Sequence, residues 1–148
     1  MRRALIYVTF LLAVVGIGLL IGTVTRPDGW YAALAKPSFN PPNWVFAPVW
    51  TLLYVLIAIA GARTFERGAG GFPLWLGQMA LNFAWSPVFF GLHLPGLALV
   101  IIVALLIAIL AFTAARWRAD RTAALLFLPY AAWVCFASVL NASIVALN

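Results

Sequence analysis

The sequence predicts an all-α membrane protein, a bundle of five transmembrane helices with a long structured loop between the first helix and the second. Three observations carry that prediction. Of the 148 residues, 66% are hydrophobic and only 8% charged, where a soluble domain of this size carries about a quarter charged residues. With a mean hydropathy of +1.09, nine basic and three acidic side chains cannot solvate the surface, which excludes an ordinary cytosolic enzyme. The charges are also clustered, leaving uncharged stretches at roughly 4–25, 44–62, 72–92, 95–115 and 122–147. Each holds about the 20 helical residues needed to cross ~30 Å of hydrocarbon. These runs are continuously apolar and do not alternate as barrel strands would, so helices are the solution that satisfies the backbone in lipid.

The first stretch follows Arg2-Arg3 and resembles a signal peptide at its start. The run from Ala4 to Val24 exceeds a usual signal core of about 7–15 residues, and no clear small-x-small site closes it. It is expected to be a retained helix. The segment Arg26–Asn43 comes next, with Pro27, Pro37, Pro41 and Pro42. Loops this long in a compact protein are functional covers or disordered. Trp30, Tyr31, Leu34 and Phe39 argue for a cover, since disordered segments are poor in aromatics.

In the second stretch Trp50 and Tyr54 lie four apart, on one helical face. The link Arg63–Gly71 contains Gly68, Gly70 and Gly71. In the third stretch Asn82, Trp85 and Phe89 share a face, Gln78 lies one turn before Asn82, and Pro87 interrupts the hydrogen-bond ladder. His93 occupies the short turn before Pro95 and reads as an interfacial loop residue. After the fourth stretch and the link Arg116–Arg121, the fifth stacks Trp133, Ala137 and Asn141 at i, i+4 and i+8. Amides at this depth are expected to point inward, because they are costly facing lipid. Small residues four apart, such as Gly18 and Gly22 or Ala58 and Ala62, suit close helix packing within the chain.

Charge distribution predicts the topology. Seven of the nine basic residues fall at the N-terminus and in the second and fourth links, leaving Arg26 and Lys36 in the first loop. The positive-inside rule then places the N-terminus in the cytoplasm and the C-terminus outside, in what reads as a bacterial cell membrane. The net charge of +6 is thus an orientation signal rather than a nucleic-acid footprint. One His and one distant Cys, Cys135, make neither a disulfide nor a zinc site, and no metal is expected.

Seven tryptophans are many for so short a chain. Trp44, Trp75 and Trp117 lie at helix ends, where indoles anchor at the membrane interface. Trp50, Trp85 and Trp133 lie inside helices, beside amides and small residues. Two readings of these three stay open: plain helix packing, or an apolar cavity with a few polar groups, the make-up of a ligand site.

The motifs resemble a known family. The run Lys36-Pro-Ser-Phe-Asn-Pro-Pro-Asn-Trp-Val-Phe-Ala-Pro-Val-Trp-Thr-Leu-Leu-Tyr54 is similar to the signature of the TspO/MBR family, the tryptophan-rich sensory proteins of bacteria and the mitochondrial translocator protein, or peripheral benzodiazepine receptor. Gly29-Trp30-Tyr31 precedes it. Gln78-x-x-x-Asn82-x-x-Trp85-Ser86-Pro87-Val88-Phe89-Phe90-Gly91 and Pro129-Tyr130-x-x-Trp133, followed by Ala137 and Leu140-Asn141, complete the resemblance in order over essentially the whole chain. It implies a five-helix bundle, commonly a homodimer among lipids, with a pocket under the first loop. It implies binding of porphyrins such as protoporphyrin IX or haem, as ligands rather than obligatory cofactors, and of sterols and benzodiazepine-type compounds. Pocket positions map onto Trp30, Tyr54, Asn82, Trp85, Phe89, Ala137 and Asn141, with Arg26 and Lys36 as candidate contacts for propionates. For the light-dependent oxidation of protoporphyrin attributed to some members, the resemblance assigns the essential pair to Trp50 and Trp133.

Two departures stand out. Phe39 occupies a position where the family often has Trp. Asn141 is followed by Ala-Ser-Ile-Val-Ala-Leu-Asn, without the Tyr and basic residue of the sterol motif in animal members. No nucleophile, general base or metal set for hydrolysis or group transfer is visible. Three function classes stay open: a tetrapyrrole-binding sensor or regulator, a light-dependent porphyrin-degrading enzyme, and a transporter.

Overall fold

A computed structural model describes residues 1–68 and 70–148; Ala69, in the second link, lies outside the described residues. The protein is all helical, with no strand among the described residues. Helix α1 covers Arg2–Val24, α2 is the short Gly29–Ala33, and α3 covers Phe46–Arg67 after a 3-10 turn at Asn43–Val45. Helix α4 covers Phe72–Ser86 and continues into a π-helical turn, Pro87–Gly91; α5 covers Pro95–Arg116, α6 Arg121–Leu126 and α7 Leu128–Leu147.

Among the described residues, four helical segments are long and apolar enough to cross a membrane: Arg2–Val24, Asn43–Arg67, Pro95–Arg116 and Arg121–Leu147. The third predicted span differs. Helix α4 has 15 residues, about 22 Å of regular helix, and gains its remaining length from the π turn. Pro87 has no N–H to continue the ladder, and the chain turns wider, with the Leu92 N–H donating to the Pro87 carbonyl at 2.9 Å. The fifth span is two helices. Asp120 caps α6 by accepting from the Ala123 N–H at 3.4 Å, and Pro129 in the first turn of α7 imposes the break at Phe127.

The second span runs past the predicted end, through Arg63, Glu66 and Arg67. Those charges are held at one polar end of the bundle. Arg3 pairs with Glu66, Arg63 donates to both carboxylate oxygens of Asp120 at 3.1 and 2.8 Å, and Arg67 lies 3.4 Å from the same carboxylate. Gly68 ends α3 with φ +60°, the left-handed closure that glycine makes without strain.

Helix α1 lies along α3 and touches α4; α4 packs on α5, α5 on α7, and α6 on α3. The core between them is formed by Leu53, Ile57, Ile102, Ile109, Phe112, Phe127, Tyr130 and Val134. A smaller cluster of Tyr31, Phe89, Ala98, Leu140 and Ile144 sits beneath the first loop. Helix α1 buries only Val14 and Gly18, which makes it the outermost element.

One of the expected interface anchors is nothing of the kind. Trp75 is 4% exposed, donates its indole N–H to the Ile57 carbonyl at 3.0 Å, and lies across Gly61, whose missing side chain makes the room. Trp44 and Trp117 are exposed at helix ends, as expected.

Candidate functional site

The site begins with three turns of α3. Phe46, Trp50 and Tyr54 recur every four residues and present one aromatic face, with the Trp50 and Tyr54 rings 5.6 Å apart. Opposite them α1 offers Gly18 and Gly22. A Cβ at Gly18 would fall within the Tyr54 ring, whereas one at Gly22 would meet nothing. The end of α4 supplies Asn82, Trp85 and Ser86, and the π turn supplies Phe90. Between these elements lies a cavity of about 320 Å³, within the usual ~300–1,000 Å³ of ligand sites. Arg26 is exposed at its edge. The glycines expected to serve helix packing therefore divide the work: Gly18 receives the Tyr54 ring and Gly22 leaves space.

Two polar ties fix this wall. Thr25 donates to the Ile21 carbonyl at 2.7 Å, so its single proton is engaged, and Ser86 donates to Thr25 Oγ1 at 2.6 Å. This joins the end of α1 to the end of α4. Deeper in the bundle, Asn82 Nδ2 donates to the Tyr130 hydroxyl at 2.6 Å, which donates to Gln78 Oε1 at 2.8 Å.

A second, much smaller space of about 20 Å³ lies toward α7, lined by Phe89, Ala137, Leu140 and Asn141 among others. It has room for about one water. Phe46, Trp85 and Phe90 line both spaces and form the wall between them. The Trp85 indole N–H donates to Asn141 Oδ1 at 3.0 Å, and Asn141 Nδ2 donates to the Pro95 carbonyl at 2.9 Å, so that wall is tied to both α7 and the start of α5.

The first loop is ordered over this end. Asp28 caps α2 by accepting from the Tyr31 N–H at 3.2 Å. That bond, against the opposing effect of desolvation and with help from His93, holds the Asp28 carboxyl below its ordinary value. His93, with φ +58°, stacks on Trp30 at 4.3 Å and places Nε2 3.4 Å from Asp28 Oδ2. Tyr31 is buried against Phe89 and Phe90 and donates its hydroxyl proton to Asn40 Oδ1 at 3.1 Å. The Asn148 side chain pairs with both backbone groups of Ala35, at 3.0 and 2.9 Å.

Of the residues expected at the site, Arg26, Trp50, Tyr54, Asn82 and Trp85 meet at the larger cavity. Phe89, Ala137 and Asn141 meet Trp85 at the smaller one. Trp30 belongs to the cover, its ring edge-on to Phe89. Trp133 lines neither space; Phe46 stands beside it at 6.0 Å, and its indole N–H is buried without a partner among the described residues. Lys36 is turned toward its own loop, donating to the carbonyls of Ala32 and Leu34 with its ammonium 4.8 Å from the Tyr31 ring centre. Phe46, Phe90 and Ser86 were missed as lining residues, although each lies inside a quoted motif. Among the described residues no group of three His, Cys, Asp or Glu side chains could hold a metal.

Comparison with known proteins agrees with the motifs. A family model described as TspO/MBR family matches residues 9–147. The chain is 42% identical to the tryptophan-rich protein TspO of Archaeoglobus fulgidus over 147 residues, covering 95% of each chain. It is 38% identical to protein CrtK of Rhodobacter capsulatus, over 86% of this chain and 83% of that one. It is 42% identical to the human translocator protein, over 76% and 70%.

Proposed function

The chain belongs to the TspO/MBR family, and from that premise we propose that it is a membrane sensor or regulator that binds a tetrapyrrole in the cavity between α1, α3 and α4. The observation that carries the reading is the lining of that cavity: Phe46, Trp50, Tyr54, Trp85 and Phe90 around about 320 Å³, with Arg26 at its edge. A porphyrin is a flat apolar disc bearing carboxylates on one side. Indole, phenol and phenyl rings cover such a disc by offset and edge-on contacts, and a guanidinium at the edge suits a carboxylate. Lys36, engaged within its own loop, would join Arg26 only if the loop moved. His93 faces Asp28 and Trp30 rather than the cavity, so binding would rest on stacking rather than axial ligation and favour the metal-free macrocycle.

The same reading places the polar end carrying Arg3, Arg63, Arg67 and Arg116 in the cytoplasm and the first loop outside, with two copies forming a dimer in a bacterial cell membrane. Trp50 is at the cavity and Trp133 is not, which supports Trp50 ahead of Trp133 as the indole in contact with the ligand in any light-driven chemistry, with dioxygen as the oxidant wherever the ligand is oxidised.

Titration of the purified protein with protoporphyrin IX in darkness tests the reading. Saturable quenching of tryptophan fluorescence that weakens on Trp50→Leu is expected; absence of saturable quenching would refute it. Repeating the titration under illumination separates the classes. Loss of the porphyrin absorption band only in the presence of protein with intact Trp50 marks an enzyme, and its absence a sensor.

A further inference from the structure

The cavity between α1, α3 and α4 is walled unevenly. The lining residues that are also exposed are Leu19, Gly22, Thr23 and Arg26, in and just after the last turns of α1, with Asn43 and Ala47 at the start of α3. The lining residues of α4 and the π turn are all buried or half-buried. The mouth of the cavity is therefore the seam between the end of α1 and the start of α3. Deeper in the bundle that seam is shut, because a Cβ at Gly18 would fall within the Tyr54 ring. One turn on, about 6 Å along the axis, a Cβ at Gly22 would meet nothing within 4 Å. The outside of the seam is apolar, with Leu19 43% and Leu20 62% exposed on a helix long and apolar enough to cross the membrane. Exposed Trp44 and Arg26 flank it, residue types that sit at the membrane surface at the ends of spans. None of the described residues 28–42 lines this cavity. The loop leans the other way: Tyr31 packs on Phe89 and Phe90, Phe39 meets Phe136 of α7 at 6.1 Å, and Asn148 holds Ala35.

We infer that the cavity is loaded sideways from the membrane, through the seam between the end of α1 and the start of α3, and that Gly22 sets the width of this passage while the first loop stays closed. The inference rests on the cavity being the ligand site and adds the route to it. The ligand class that fits the route is a flat apolar molecule already dissolved in the bilayer, entering apolar edge first with any carboxylate trailing toward Arg26. Passage through the seam breaks no tie between elements: Leu19, Gly22 and Ala47 offer no polar side chain, and Thr23 bonds within its own helix, to the Leu20 carbonyl. Passage beneath the loop would cost the two Asn148 bonds to Ala35 and the packing of Tyr31.

Uptake and release of protoporphyrin IX by the full-length protein in nanodiscs read the route, followed by tryptophan quenching in darkness and corrected for partition into empty discs. Gly22→Ala, Gly22→Leu and Gly22→Phe all place better helix formers than glycine at an exposed position, so each is expected to fold. They should slow uptake and release together, in order of size, by about tenfold or more for Gly22→Phe, with the affinity changed far less than either rate. Gly16→Phe, at an exposed position of the same helix with open space around it and outside the cavity, should leave both rates as they are. Asn148→Ala, which frees the loop at Ala35, should do the same. A side chain at position 22 that merely fills the cavity would weaken binding through faster release with uptake unchanged, and that result would overturn the inference. So would severalfold faster exchange in Asn148→Ala, which puts the route beneath the loop. If the wild-type protein shows no saturable quenching, the reading of the cavity itself fails, and this inference with it.

Discussion

Gly61→Ala offers a direct check on how tightly the bundle is built around its misread tryptophan. The nearest atoms to an added methyl would be Cε2, Cζ2 and Nε1 of Trp75, inside van der Waals contact. The indole has no free direction in which to retreat. It is stacked on Phe72 at 5.6 Å, meets the Phe10 ring edge at 5.2 Å, and is tethered through Nε1 to the Ile57 carbonyl at 3.0 Å. Overpacking of a filled core costs about 1–3 kcal/mol, and an indole N–H pushed off its buried acceptor adds about 1–3 kcal/mol. The expected loss is therefore about 2–6 kcal/mol, read from reversible unfolding of the protein in mixed detergent micelles. Gly77→Ala, on an exposed position of the same α4 with open space around it, serves as the control and should be neutral or slightly stabilising. In a Trp75→Leu background the methyl at position 61 has room, so the two changes should couple by roughly 1–3 kcal/mol. Equal cost of Gly61→Ala in both backgrounds would refute the account of the Gly61–Trp75 contact.

Three further outcomes follow from the ends of the bundle. Asp120→Ala removes the cap of α6 and the shared acceptor of Arg63 and Arg67, and should cost about 2–4 kcal/mol in the same unfolding assay; a cost under about 0.5 kcal/mol would show the cluster to be ornamental. Because the Asp28 carboxyl is held below its ordinary value, chiefly by the Tyr31 N–H, its contribution to the loop is present above the ordinary range near pH ~4 and lost as pH falls through the lowered value. Amide-exchange protection at Tyr31 should drop in that acidic window, and Asp28→Asn, which still caps, should abolish the pH dependence; an unchanged profile would contradict it. Asn148→Ala removes both bonds to Ala35 and should raise exchange at the Ala35 amide at least severalfold while leaving α3 unchanged, which hydrogen-exchange mass spectrometry can separate.

Five apolar spans were legible because each needs only a count of residues between charges. Their ends were less so. Helix α3 continues past the predicted boundary because Arg63, Glu66 and Arg67 find partners on α1 and in the fourth link, a fact of tertiary pairing that no local pattern encodes. The break between α6 and α7 had a local signal in Pro129, and the π turn had one in Pro87. Trp75 shows the opposite case. Its place near the start of a span is common to anchors and core residues alike, and only Gly61, fourteen positions earlier on another helix, decides between them.

The site was legible in its aromatic part for a related reason. Trp50 and Tyr54 share a face by spacing alone, and spacing also joined Asn82 to Trp85. What spacing could not supply is the space itself. A cavity is made by what is missing, and the missing atoms here are those of Gly18 and Gly22, which in sequence look like any pair of small residues suited to helix packing. One of them does pack, against Tyr54, and the other does not. Which does which depends on where the α3 aromatics reach α1. The polarity of the wall is subtler still. Gln78, Asn82 and Tyr130 are each recognisable as polar groups at depth, yet the direction of their hydrogen bonds is set at the Trp75 carbonyl, a backbone atom with no sequence signature. Residue types thus announce aromatic rings and amides at depth. The packing of the helices decides which of those rings border a space and which way the amides are turned.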